Sequence, residues 1–439
     1  NEIMILKDEA IRAVLEEKYE RSRPEFLNMV ETFSSARDDN NLIYTVYEFY
    51  DFIRSHPFKE KWLSEKFDMY NESNINDTEF FRVILNYAIE SINHCLTLTK
   101  NSIELLNEDE KIKEIYGSSF SSDLSSLFLL KQTLNLKTWD NISDELKNFK
   151  FDKLKALRGY KDDIIKVRVN ENRKEVKAII DKLKKLFYVS QEECIEDIKY
   201  LKPIVKEFFA LTNDFEARLN LLKAERNILD FSDLEHLTLK LLVKETNAGF
   251  ERTQEAYELS LKFDQIMVDE YQDTNEVQDL IFRALSHNEE NLFMVGDVKQ
   301  SIYRFRQAMP EIFLRRKEKY LLYDETKSEY PYKIILDKNF RSREGILDAT
   351  NFVFSQLMSK NMGEMEYTNE EKLKLGAEYD AKEDPDVYLK ILDLSCCEDN
   401  DMDKQEARYI SGIIAQMIGK GYKIKDKNGY RNGTYWEFC

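Results

Sequence analysis

Two acids stand side by side where an apolar run stops. In residues 263–275, FDQIMVDEYQDTN, Ile266, Met267 and Val268 lead straight into Asp269 and Glu270. A magnesium nucleotide needs one carboxylate near the metal and a second that takes a proton from water, and this pair supplies both. A bare Asp-Glu pair is also what an acidic loop after a core strand looks like, since paired acids are common on surfaces. The arrangement repeats in residues 291–306, NLFMVGDVKQSIYRFR, where Leu292, Phe293, Met294 and Val295 end at Gly296 and Asp297. Here Gln300 sits where an amide would sense a terminal phosphate. Tyr303 and Phe305 alternate with Arg304 and Arg306, which suits single-stranded nucleic acid, because bases stack on rings while guanidinium groups meet phosphates. Further on, KIILD (residues 333–337) runs into Lys338, Asn339, Phe340, Arg341 and Ser342. An arginine just past a strand end can reach a phosphate from a neighbouring domain, as an arginine finger does.

Strands must present these groups. Short apolar runs with polar residues stacked at one end predict buried parallel strands, and ligands of open α/β sheets bind beyond the carboxyl ends of such strands. KIILD and VYLKIL (residues 387–392) are predicted as further strands. Asn275 is placed to cap a helix whose Val277, Leu280, Ile281, Ala284 and Leu285 form its buried side. The order strand, carboxylates, helix, strand, carboxylate predicts an α/β layer. Ahead of it, Ser232 in the Asp-Phe-Ser-Asp turn is read as a helix N-cap. Helices are also expected over residues 346–358 and 406–418, with Asn-Gly turns at 428–429 and 432–433.

The preceding half of the chain has helical periodicity to about Leu222. Its clearest stripe is Ile195, Ile198, Leu201, Val205, Phe208, Leu211, Phe215, Leu219 and Leu222, ordinary core at steps of three and four. Pro203 should kink that helix or mark its restart.

Composition excludes several classes. The chain has 439 residues, 34% of them charged, and only 12 Gly and 6 Pro, which fits a helix-rich globular protein of two or three domains. There is no apolar run of spanning length and no signal-peptide pattern, so the cytoplasm is expected. Five scattered cysteines without a CxxC pair indicate neither a disulfide framework nor a zinc or iron–sulfur site. The net charge of −18 opposes nucleic-acid binding by the chain as a whole, but phosphate contacts need only local positive charge. Lys and Arg outnumber Asp and Glu between Lys147 and Lys185, a stretch that includes Arg158, Arg173, Lys182 and Lys184. It is either a phosphate-contacting surface or a solvated helix face.

Taken together, DEYQDTN and GDVKQSIYRFR resemble motifs II and III of superfamily 1 helicases of the UvrD type. LDFSDLEHL (229–237), NFRSREGILDATN (339–351), MGEMEY (362–367) and EEKYERSRPEFLNMV (16–30) narrow this. Over nearly its whole length the chain resembles the AddA subunits of bacterial AddAB helicase–nucleases. The resemblance implies an ATP-dependent DNA helicase or translocase subunit for double-strand-break repair and recombination. It would act on single- and double-stranded DNA beside an AddB-like nuclease subunit, with ATP and Mg2+. The implied fold is α/β, a RecA-like P-loop NTPase motor core with a large all-helical insertion and part of a second motor domain. Residues 1–225 would be the insertion, 226–330 the latter half of the first motor domain, and 331–439 the beginning of the second. Asp269 would hold magnesium and Glu270 would be the general base. Gln300 would couple the γ-phosphate to DNA, Phe340 would lie against adenine and Arg341 would reach the γ-phosphate. Tyr303, Phe305, Arg306, Ser232, Lys182 and Lys184 are the expected DNA contacts. Members of the wider type often carry Trp at the position of Phe305 and Tyr at that of Phe340; a Phe keeps the stacking face and loses the polar handle.

No GxxxxGK[ST] loop occurs in these residues, so its phosphate-cradling amides and lysine are not among them. The resemblance places that loop ahead of Asn1, and later helicase motifs and a nuclease domain beyond Cys439. The chain is therefore expected to be an internal piece that hydrolyses little or no ATP alone. The other reading is a non-catalytic DNA-binding or scaffold protein derived from a helicase fold.

Overall fold

The computed structural model describes residues 2–438 other than 36, 158–159, 161–162, 248, 328–330, 361–364, 380–386, 392–400 and 427–428. It divides into two compact units, Asn1–Tyr320 and Leu321–Cys439. Arg158, part of MGEMEY and the Asn428 turn position lie outside the described residues.

The first unit opens with nine helices among its described residues, α1 (Glu2–Arg21), α2 (Pro24–Phe33), α3 (Asn40–Ile53), α4 (Lys59–Asp68), α5 (Glu79–Leu106), α6 (Glu110–Asn135), α7 (Trp139–Asn148), α8 (Ile164–Leu186) and α9 (Gln191–Arg226). The last is the axle. A Ser190–Glu193 capping box satisfies its first amides, and it ends on Asn227 in the left-handed conformation, φ 54°. The helix continues through Pro203 rather than restarting. Before that proline, Cys194, Ile195 and Ile198 join one core with α5–α8. After it, Ile204, Phe208, Leu211, Phe215, Leu219 and Leu222 join a second with α1–α3. The stripe is therefore broken at the proline, where Leu201 is exposed and Ile204 is buried in place of Val205. The helix changes partners there, and one lost hydrogen bond is tolerated because both flanks are anchored by packing.

Charge is buried in this body as well. Arg173 of α8 is 5% exposed and donates from Nε to Asp123 Oδ2 at 2.6 Å and from Nη2 to Asp123 Oδ1 at 3.1 Å and the Asp152 carbonyl at 2.7 Å. It is thereby removed from the basic surface expected of residues 147–185.

A second charged cluster ties the helical body to the next helix, α10 (Phe231–Leu242). This helix is capped by Asp230, which accepts from the Asp233 amide at 2.8 Å while Asp233 accepts from the Asp230 amide at 2.9 Å. The expected N-cap, Ser232, is instead the second residue of the helix, because the helix begins at Phe231, two residues before the start that a Ser232 cap implies. Arg54 beyond α3 donates to Asp233 Oδ1 at 2.7 Å, and Lys223 of α9 donates to Asp230 at 2.6 Å and to Asp233 at 2.9 Å. Burial pushes the Asp230 carboxyl up, but Lys223, the Asp233 amide and Arg54 outweigh it and hold the group at about 2. A carboxyl held below its unfolded value stabilises the fold above that value and loses the contribution as pH falls from about 4 towards 2. Asp230→Asn should lower stability by roughly 2 kcal/mol at pH 7. Melting curves from pH 7 to pH 2 check this: the gap between variant and parent should close below about pH 4, and a gap of constant size contradicts the ion-pair account.

After α10 come the hairpin β1 (Val243–Thr246) and β2 (Gly249–Arg252), then α11 (Gln254–Ser260), β3 (Ile266–Val268), α12 (Glu276–Leu285), β4 (Leu292–Met294) and α13 (Pro310–Lys319). Strands β3 and β4 are parallel, in register Ile266↔Leu292 to Val268↔Met294, as their polar-ended apolar runs predict. Their burial is one-sided: Met267 is 69% and Phe293 56% exposed. The pair forms a two-stranded sheet among the described residues, and full burial needs layers on both faces. Asn275 caps α12 in a capping box with Gln278, as its place in the sequence predicts.

In the second unit, β5 (Leu321–Leu322) pairs with β6 (Tyr332–Lys333), and β7 (Lys338–Asn339) pairs with β8 (Lys374–Leu375), both parallel. Two α-helices, α14 (Glu344–Leu357) and α15 (Met402–Gly419), the hairpin β9 (Lys423–Asp426) with β10 (Gly429–Asn432) and a closing 3-10 turn, Tyr435–Phe438, complete its described elements. Two predicted strands do not form. Only the first residue of KIILD is paired, with Ile334 and Leu336 exposed, and residues 387–391 of VYLKIL are not in a strand. An apolar run becomes a strand only where a neighbouring strand accepts its ladder, and among the described residues the backbone bonds reach KIILD at its two ends, from the Tyr323 amide to the Lys333 carbonyl and from the Lys374 amide to the Asp337 carbonyl.

No helix is long and apolar enough to cross a membrane among the described residues.

Candidate active site

Strand pairing delivers the acids. The Val295 amide donates to the Val268 carbonyl and the Tyr271 amide to the Val295 carbonyl, each at 2.9 Å. Both strand ends are thereby locked together just where Asp269, Glu270 and Asp297 emerge. Asp269 and Glu270 are exposed. Glu270 adopts φ 50°, ψ 43°, a left-handed conformation that costs an L residue about 1–2 kcal/mol, and its amide donates to Asp269 Oδ1 at 2.9 Å. Strain of this kind collects at functional sites.

What holds the turn is beneath it. Tyr271 is fully buried, and its hydroxyl donates to Asp279 Oδ1 at 2.6 Å. Arg316 of α13 donates to the same oxygen at 2.7 Å. Burial and the Asp279 carboxylate keep the phenol protonated far above its ordinary range. Gln272, 1% exposed, donates from Nε2 to Glu270 Oε2 at 2.6 Å and accepts from the Asp297 amide at 2.9 Å. Asp297 in turn accepts from Gln300 Nε2 at 3.0 Å and pairs with Lys299 at 2.8 Å. Burial would push Asp297 up, but Lys299 and Gln300 hold it below the usual carboxylate range. Glu270 and Gln300, picked separately from the sequence, thus belong to one hydrogen-bonded chain. The sequence alone assigns no role to Gln272 or Gly296. Gly296 is required because a Cβ there would lie 2.6 Å from Gln272 Oε1 and 3.2 Å from the Tyr271 nitrogen.

Past Gln300 the chain displays its rings. Phe305 is 72% and Tyr303 37% exposed, their centroids are 5.8 Å apart, and Arg306 lies over both at 5.1 and 5.6 Å. Neither ring is core.

In the second unit, Asn339 Oδ1 accepts from the Arg341 and Ser342 amides at 2.9 and 2.8 Å, an Asx turn that shapes the loop after β7. Phe340 lies on Gly376, whose added Cβ would meet the ring at 2.9 Å, and keeps its other side open. Phe340 and Arg341 are both exposed on this loop. Of the helical-body candidates, Lys182 is exposed with its ammonium 4.8 Å from the Tyr87 ring centroid. Lys184 donates to the Phe149 carbonyl at 2.8 Å. Ser232 is half-buried in the first turn of α10.

With that geometry in place, comparison with known proteins decides the family: residues 9–321 match the UvrD/REP helicase N-terminal domain. The chain belongs to the UvrD/REP helicase family. Within this family it is 35% identical over 99% of its length to the A subunit of the ATP-dependent helicase/nuclease of Clostridium kluyveri, of which it covers 37%. It is 34% identical over 99% of its length to the same subunit of Clostridium novyi and 32% over 96% to that of Bacillus pumilus, covering 37% and 35% of them. The chain thus spans little more than a third of these relatives. The motifs that carried the resemblance, DEYQDTN and GDVKQSIYRFR, fall inside the matched UvrD/REP segment.

Proposed function

We propose that the complete polypeptide containing this chain is an ATP-dependent DNA helicase or translocase subunit of the AddA kind, serving double-strand-break repair and recombination in the cytoplasm. The hydrogen-bonded chain Glu270–Gln272–Asp297–Gln300 at the carboxyl ends of β3 and β4 carries this reading. It links a carboxylate suited to accept a proton from water with an amide suited to sense a terminal phosphate. Residues 226–330 are assigned to the latter half of a RecA-like motor domain, 1–225 to its helical insertion and 331–439 to the start of a second. The relatives' name as a helicase/nuclease subunit supports a companion nuclease subunit.

The donor set suits Mg2+, which takes one or two protein carboxylates and fills its shell with water and phosphate oxygens. Asp269 offers an exposed carboxylate, and Asp273 nearby has a buried Oδ1 with no hydrogen-bond partner among the described residues. Burial and the Glu270 charge push Asp273 up, so the strand end has an excess of negative charge that a cation would relieve. When bound, the ion neutralises phosphate charge; this chain's residues orient water and nucleotide. Glu270 is assigned to take the proton and Gln300 to report the phosphate, and the family resemblance assigns Phe340 to the base and Arg341 to the γ-phosphate.

Tyr303 and Phe305 are assigned to DNA bases, with Arg306, Ser232, Lys182 and Lys184 as further contacts. Stacking is worth about 1–3 kcal/mol per base. Phe305→Ala in the complete polypeptide should therefore weaken binding of an oligothymidylate roughly 5- to 150-fold, measured by fluorescence anisotropy at fixed salt. Unchanged affinity would remove the rings from the DNA path.

A further inference from the structure

We propose that Gln272 is a positioning residue that aims the Glu270 carboxylate and fastens it to the Asp297 loop, so that the base and Gln300 move as one body. The proposal rests on the reading of Glu270 as the base. Glu270 itself is exposed and sits on a strained turn, so its own backbone does not fix where the carboxylate points. The 2.6 Å bond from Gln272 Nε2 does. The opposite end of the same amide accepts from the Asp297 N–H at 2.9 Å. One buried side chain therefore needs a donor facing the base and an acceptor facing the loop. An amide meets both demands; a carboxylate meets only the second, and a thioether has no donor and only a weak acceptor.

The fit is tight on the far side too. Gly296 leaves no room for a Cβ beside Gln272 Oε1, so the loop cannot slide across the amide without displacing it. Asp297 also caps the short turn that ends at Gln300 and leads towards Tyr303 and Phe305. A shift of that segment on DNA would pull on Asp297, hence on Gln272, hence on the base.

The test uses the complete polypeptide with MgATP, with and without an oligothymidylate. Gln272→Met should lower kcat about 10- to 100-fold, the range seen when the hydrogen bond that orients a metal-ligating side chain is lost. KM for ATP and DNA affinity should stay within about twofold, and most of the stimulation by DNA should disappear. Hydrogen exchange at the Asp297 amide should speed up in this variant. Gln272→Glu separates positioning from simple packing. It keeps an acceptor for Asp297, so exchange there should stay slow, while kcat should fall at neutral pH and recover in part as the pH drops and the introduced carboxyl regains a proton to donate. Wild-type kcat and DNA stimulation in Gln272→Met overturn the proposal, as does a Gln272→Glu activity ratio that does not change with pH. Glu270→Gln is the control for the underlying reading. Full turnover in that variant sinks both ideas, whereas an inactive Glu270→Gln beside a normal Gln272→Met sinks this one alone.

Discussion

Glu270→Gln in the complete polypeptide is expected to stop ATP turnover while nucleotide and DNA still bind. A positioned general base contributes about 10²–10⁴ in rate, and an amide at position 270 has no lone pair basic enough to take the proton. The substitution is otherwise conservative. The introduced carbonyl oxygen can still accept from Gln272, whose bond to Glu270 is 2.6 Å long, and the exposed side chain supports no core. The melting temperature and the affinity for a non-hydrolysable nucleotide should therefore match the parent. Turnover at the parental rate, measured as phosphate release with saturating DNA, removes Glu270 from the chemistry.

The second large effect is on stability and concerns the helical body. Arg173→Ala leaves Asp123, 2% exposed, as an uncompensated buried charge and strips the Asp152 carbonyl of its donor. Breaking a buried pair on one side costs about 3–5 kcal/mol, a large share of the roughly 5–15 kcal/mol that holds a domain folded. The Phe120 and Phe151 rings, each 5.6 Å from the guanidinium, lose their cover as well. Urea unfolding followed through Trp139, which is buried in the same helical body, should show an unfolding free energy lowered by that amount, with the midpoint moved down in proportion. Asp123→Leu combined with Arg173→Met should restore most of it, since an apolar pair of similar volume removes the stranded charge. A single variant as stable as the parent would show that the pair is worth nothing.

These two residues mark the limits of reading the chain unaided. The place of Glu270 at a strand end is legible because a carboxylate pair at the end of an apolar run has a local spacing, and so are the parallel strands β3 and β4, the Asn275 cap and most of the α9 stripe. Arg173 reads as surface charge because its partner is fifty positions away in the sequence, and no local pattern announces a long-range ion pair. Gln272 is missed for a related reason. Its role depends on an amide of Asp297 brought close by strand pairing, and a glutamine between acids has no spacing of its own to betray it. Ser232 and Asp230 differ by the placement of one helix boundary, which propensity does not resolve because Ser and Asp cap equally well. KIILD and VYLKIL show that an apolar pattern proposes a strand but a partner strand makes it.

One consequence of Pro203 concerns mechanics. Because α9 runs unbroken through two cores for about 54 Å, neither bundle can turn on its own axis without dragging the other. The helical body should behave as a lever, stiff along both arms. A built-in point of give in α9 is the turn where the Lys199 carbonyl faces a ring nitrogen that carries no hydrogen.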